Sequence, residues 1–120
     1  SPRWCLLLVR LHTNGKENKM TQAQEFTIHT DPGHGWIQVP MLMIFELGFA
    51  HDVTHWSYMD DSFVYLEEDC DARLFILAFN EAHGERPQIN EQYSDNESFV
   101  RNLKRFDVQA AIQQVHNSAV

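Results

Sequence analysis

The chain reads as a small α+β domain, about three helices packed on a mainly antiparallel sheet with a central hairpin. Three observations predict this. Residues 24–30 alternate in polarity, residues 53–59 and 62–67 form two aromatic-rich extended runs separated by Asp60-Asp61, and apolar residues recur at helical spacing after Asp69 and after Ser94. With 120 residues, 43% of them hydrophobic, there is material for one core and one domain.

In the first run Phe26, Ile28 and Thr30 fall on one side and Glu25, Thr27 and His29 on the other, as in a half-buried strand. Asp31-Pro32-Gly33 then makes a turn, Pro32 fixing its own φ and Gly33 free to take a positive one. Residues 36–39 form a second extended piece. Pro40 opens a short apolar helix through Met41, Leu42, Ile44, Phe45 and Leu47, with Gly48 as its stop.

A two-residue Asp60-Asp61 loop sets Met59 opposite Ser62, Tyr58 opposite Phe63 and Trp56 opposite Tyr65. Four aromatics then share one face, and Val53, His55, Val64 and Leu66 share the other, so the hairpin belongs inside the sheet. Asp69 or Asp71 caps the main core helix, which carries Leu74, Phe75, Leu77, Ala78 and Phe79 and stops at Gly84. An edge strand follows around Ile89. Ser94-Asp95-Asn96-Glu97 has capping-box spacing, and Phe99, Leu103 and Phe106 extend it as a helix from Asp95 to about Phe106. Asp107 caps a further turn or two through Val108, Ala111, Ile112 and Val115.

The formal net charge is -8, unevenly placed: Arg3, Arg10, Lys16 and Lys19 against Glu17 leave the first nineteen residues at +3 and the rest at -11. Such an acidic body repels phosphate backbones, which argues against nucleic acid as a partner, and suits a basic protein surface. Residues 1–19 read either as an appendage, with the domain spanning 20–120, or as an edge strand from Trp4-Cys5-Leu6-Leu7-Leu8-Val9 followed by a loop. Arg10 cuts that apolar run well short of a membrane span or signal-peptide core. Cys5 and Cys70 have no zinc-type spacing and are too few for a disulfide framework, so a reducing cytoplasm is the expected compartment.

The densest chemistry lies in His29-Thr30-Asp31-Pro32-Gly33-His34-Gly35-Trp36. His29 and His34, with Asp31, offer the donor set of a divalent metal with an open water position. Without a metal, His34 can act as general acid or base beside backbone amides around Gly33 and Gly35 that receive an anion. The bland reading is an ordinary turn whose Asp31 bonds to backbone amides. Glu67, Glu68, Asp69 and Asp71 can supply a general base or bind a hard cation through oxygen, but strand alternation sends Glu67 and Glu68 to opposite faces, so only one faces a given pocket. Cys70, among carboxylates, is a poor nucleophile. His51 and His55 extend the histidine set if the hairpin packs beside the turn. Trp36, Tyr58 and Tyr65 are candidate binding aromatics with Glu68; lacking interleaved Lys or Arg, the sheet aromatics also read as core.

Asp31-Pro32-Gly33-His34-Gly35-Trp36, Trp56-Ser57-Tyr58 and Val64-Tyr65-Leu66-Glu67-Glu68-Asp69-Cys70-Asp71 together resemble a group of small uncharacterised proteins of phages and other bacterial mobile elements. The likeness covers residues 26–79 and implies a context, not an activity. Three functions compete. The first is an accessory protein that binds a basic surface of a host protein in the host cytoplasm. The second is a small hydrolase-type enzyme using Asp31, His34 and Glu67, with or without a divalent metal on His29 and His34. The third is a structural or oligomeric subunit, which needs a contiguous apolar surface patch.

Overall fold

A computed structural model describes residues 24–118. The expectations for residues 1–19 lie outside the described residues. The strands are β1 Glu25–Thr30, β2 Gly35–Pro40, β3 Tyr58–Met59, β4 Phe63–Glu67, β5 Gln88–Tyr93 and β6 Lys104–Arg105. The helices are α1 Met41–Glu46, α2 Asp71–His83 and α3 Val108–Ser118, with 3-10 turns at Ala50–Asp52 and Phe99–Asn102. The fold is α+β. One six-stranded sheet runs β5-β1-β2-β4-β3-β6, with β5 parallel to β1 and the other neighbours antiparallel.

The period-2 pattern decides which side of the sheet each residue serves. Phe26, Ile37, Val39, Val64 and Leu66 face the helices and pack with Met41, Ile44, Phe75, Phe79 and Ala111. Phe26 meets Phe75 and Phe79 edge-on at 4.9 and 5.6 Å between ring centroids. The alternate residues Trp36, Tyr58 and Tyr65 form a second cluster on the opposite face, closed by Val100 with Phe63 and Leu103 around it. Both faces are thus covered, which accounts for the apolar character of both sides of β4.

Most elements stand where the local pattern places them. Pro40 ends β2 and immediately precedes α1, and α2 stops at Gly84, whose φ of +77° needs a residue without Cβ. Asp107 accepts the Ala110 amide and starts α3, which runs for eleven residues rather than a turn or two.

Several further expectations are corrected. The segment 95–106 is not a helix: Ser98 caps only the short turn Phe99–Asn102, and the chain then joins the sheet as β6. Its backbone is drawn to the second face because Ser98 and Arg101 bind Asp31 while Val100 fills the aromatic cluster. The hairpin register is shifted by two residues, Tyr58 pairing with Tyr65 and Met59 with Val64. The cause is Asp60, whose Oδ1 accepts the amides of Ser62 and Phe63 and makes a longer turn, while Tyr65 donates its hydroxyl to Oδ2. A shift of two preserves the faces of Tyr58, Met59 and the β4 residues, but the strand expected over 53–59 is reduced to β3: Val53, His55 and Trp56 lie in the loop before it, and Trp56 is 56% exposed and no part of the aromatic face.

Neither Asp69 nor Asp71 caps α2, because Asp71 Oδ2 is occupied by Thr54 and Ser57 of the preceding loop. Gly33 does not take a positive φ. A Cβ there would stand 2.8 Å from Arg101 Nη2, so a larger residue would have to displace the end of that side chain from Asp31.

Candidate functional site

The end of β1, the start of β2 and the end of β4 meet at one corner of the sheet, since Thr30 pairs with Gly35 and Trp36 with Glu67. The turn at this corner is tied internally. Asp31 N–H donates to His34 O at 2.9 Å, and Asp31 Oδ1 accepts from Gly33 N and His34 N at 2.9 and 3.0 Å. Asp31 Oδ2 takes Ser98 N at 2.8 Å and Arg101 Nε at 2.7 Å, while Arg101 Nη2 reaches Oδ1 at 2.9 Å. The Arg101 guanidinium, outweighing the cost of burial, holds the Asp31 carboxyl far below the usual carboxylate range, and the three backbone amides add to the effect. The Arg101 pKa is raised by the same bond.

Asp31 is therefore a clasp joining the turn to residues 98–101, with both oxygens spent. The amides of Gly33 and His34 point at this internal carboxylate and are not presented to an external anion. Arg101 also lies over the Trp36 ring, 5.1 Å from its centroid.

His34 projects from the turn with its side chain 48% exposed, and its Nδ1 lies 4.0 Å from Glu67 Oε2. Glu67 Oε1 accepts the amides of Asp69 and Cys70 at 3.0 and 3.2 Å, which fixes the carboxylate and leaves Oε2 toward the histidine. Burial raises the Glu67 pKa against the lowering effect of those two amides. Asp69 completes the group: one donor atom each from His34, Glu67 and Asp69 lie within 4.8 Å of one another. The Trp36 ring is 6.0 Å from the His34 ring, and its buried Nε1 has no hydrogen-bond partner among the described residues.

His29 stands outside this group. Its Nε2 is 2.7 Å from Gln38 Oε1, and its ring meets Phe99 edge-on at 5.0 Å and lies 6.0 Å from Tyr65. Trp36, Tyr58 and Tyr65 are buried in the second cluster. Burial, then the Asp60 bond, push the Tyr65 hydroxyl pKa up. Glu68 and Cys70 are exposed, Glu68 donating its amide to Gly35 O. His51 and His55 are exposed as well, His55 stacked on Trp56.

The local pattern does not single out Arg101 or Ser57, and it offers Asp69 as an oxygen ligand of a hard cation without placing it beside His34. Ser57 Oγ donates to Asp71 Oδ2 and accepts the Glu67 amide at 3.0 Å, linking the start of α2 to the last residue of β4. Asp69, two residues after Glu67 at the end of a strand, reads both as a cation ligand and as a helix cap, and the cap does not form.

A shallow cavity of about 140 Å³, lined by Gln24, Glu25, Phe26, Thr27, Gln38, Pro40 and Phe63, opens at the other end of these strands. No helix among the described residues is long and apolar enough to cross a membrane. No protein-family model, curated protein or solved structure matches the chain.

Proposed function

We propose that the protein is a small accessory protein of a phage or mobile element, acting in the host cytoplasm by binding a basic surface of a host protein with its acidic face. One observation carries this reading: among the described residues, Arg101 with Asp31 is the one ion pair between a carboxylate and an Arg or Lys. Apart from the buried Glu67 and Asp71 and the half-buried Asp60, the other described carboxylates are exposed, including Glu68 and Asp69 at the corner and Glu97 beside Arg101. Exposed Phe99, two residues after Glu97, adds apolar contact area. A field of one sign speeds encounter with an opposite surface and gives way to salt, because screening acts over about 8–10 Å at ordinary ionic strength.

The test compares the protein with the Glu68→Lys/Glu97→Lys double variant as bait in bacterial lysate at low and high salt. Both residues lie outside the group formed by His34, Glu67 and Asp69. Capture of a basic host protein is expected at low salt, and its loss both at high salt and with the charge-reversed bait. No capture at low salt, or equal capture by both baits, defeats the reading.

The hydrolase-type alternative draws support from the contact of His34 Nδ1 with Glu67 Oε2. It has to do without Asp31, whose oxygens are fully engaged.

A further inference from the structure

The corner that carries His34, Glu67 and Asp69 poses an electrostatic problem. Two carboxylates stand close together with no Lys or Arg paired to either among the described residues. Like charges so placed repel, and a divalent cation between them turns the repulsion into attraction. We propose that this corner is a divalent transition-metal site, with His34, Glu67 and Asp69 as its three protein ligands and zinc as the ion that fits it best. The proposal is independent of the acidic-docking reading above.

The donor set selects the class of ion. Calcium and magnesium take oxygen ligands, whereas one imidazole nitrogen with two carboxylate oxygens suits zinc, cobalt or manganese. For a given site of this kind zinc binds more tightly than manganese. Three protein ligands leave a fourth position for water or for a group supplied by a partner.

The His34 backbone and the Glu67 carboxylate are held before any ion arrives. The backbone of His34 is fixed at both its N–H and its C=O by Asp31. The Glu67 carboxylate is fixed through Oε1, so that Oε2 is the oxygen turned toward Nδ1 at 4.0 Å. Ligands about 2.0–2.2 Å from a tetrahedral zinc are about 3.4 Å apart. The present spread of up to 4.8 Å therefore has to contract, and His34 and Asp69 are exposed and free to swing inward. His29 is not a ligand, since its Nε2 is held by Gln38.

The experiment is calorimetric titration of the full chain, free of any histidine tag, with zinc chloride, followed by the absorption spectrum of the cobalt-loaded protein. One equivalent of zinc is expected, while calcium at the same concentration gives no saturable heat. Cobalt is expected to show ligand-field bands without a thiolate charge-transfer band, because Cys70 is not among the converging groups. His34→Ala, Asp69→Asn and Glu67→Gln are each expected to weaken zinc binding roughly tenfold or more. His34 and Asp69 are exposed, and the glutamine amide oxygen can still accept the two amides that Glu67 Oε1 accepts, so all three variants are expected to keep the native circular dichroism. His116→Ala, an exposed histidine on α3, is expected to bind as the parent. The site is overturned by an absence of saturable zinc binding, or by parent-like affinity in any natively folded variant of the three ligands.

Discussion

Asp31→Ala is expected to destabilise the protein by about 3 kcal/mol, near the lower end of the cost of stripping one partner from a buried ion pair. Asp31 is 6% exposed and serves five donors: the amides of Gly33, His34 and Ser98 and two nitrogens of Arg101. Alanine leaves all of them without an acceptor. The Ser98 amide is the costliest loss, since a buried donor without a partner forfeits its hydration for nothing, whereas the amides of the exposed Gly33 and His34 can be rehydrated in part. The guanidinium side chain, 28% exposed, can partly rehydrate, which keeps the total near the lower end.

Because the folded-state pKa of Asp31 is depressed, its contribution is fully present above the unfolded value near 4 and is lost as pH falls toward the folded value. Chemical denaturation of the parent is therefore expected to show stability falling as pH drops below about 4, and Asp31→Asn is expected to have a flatter profile in that window. Equal slopes in the two proteins, or an Asp31→Ala variant as stable as the parent, would refute the clasp.

The same clasp explains why some of the fold was legible in the sequence and some was not. β1, β2, α1 and α2 announce themselves within a few residues, through alternation, helical spacing and the stops at Pro40, Gly48 and Gly84. For 95–106 the local signal was equally clear and the outcome different. Ser98 and Arg101 are drawn to a carboxylate 67 and 70 positions earlier in the chain, and the covering of Trp36 and Tyr65 wins over helix propensity. No window of a dozen residues contains both partners. The hairpin register failed for a more local reason, the second oxygen-to-amide bond of Asp60 lengthening the turn, and it failed harmlessly because faces repeat every two residues.

At the candidate site, His34 and Glu67 could be named from residue chemistry, and both stand at the corner. Their convergence with Asp69 could not be read from the sequence. It depends on β2 lying beside β4 in a register that sets Trp36 opposite Glu67. Asp31 has the right chemistry for a catalytic role, and only the arrival of Arg101 shows that its oxygens are spent.

Asp71→Ala is expected to cost about 3 kcal/mol as well, and to lower the midpoint of thermal unfolding by roughly 10–20 °C for a domain of this size. Asp71 is 1% exposed, and its Oδ2 accepts Thr54 N at 2.9 Å, Thr54 Oγ1 at 2.8 Å and Ser57 Oγ at 2.6 Å. No cation accompanies it among the described residues, so these three donors are what stabilise the buried group. Removing it strands an amide and two hydroxyls and frees the loop between the 3-10 turn Ala50–Asp52 and β3.

Asp71→Asn keeps an oxygen acceptor and is expected to lose much less, about 1 kcal/mol, the difference between charge-assisted and neutral hydrogen bonds. Ser57→Ala separates packing from polarity. Ser57 is 0% exposed and relays the network to the Glu67 amide, so its loss is expected to fall between the two Asp71 variants. The relay also predicts an effect at a distance. With Ser57 replaced, the end of β4 loses one of its ties, and the amide resonances of Glu67, Asp69 and Cys70 are expected to shift while those of β5 do not. Unchanged resonances at residues 67–70, or an Asp71→Ala variant that melts with the parent, would show that the loop is held by its apolar contacts alone and that the buried carboxylate does not organise the corner.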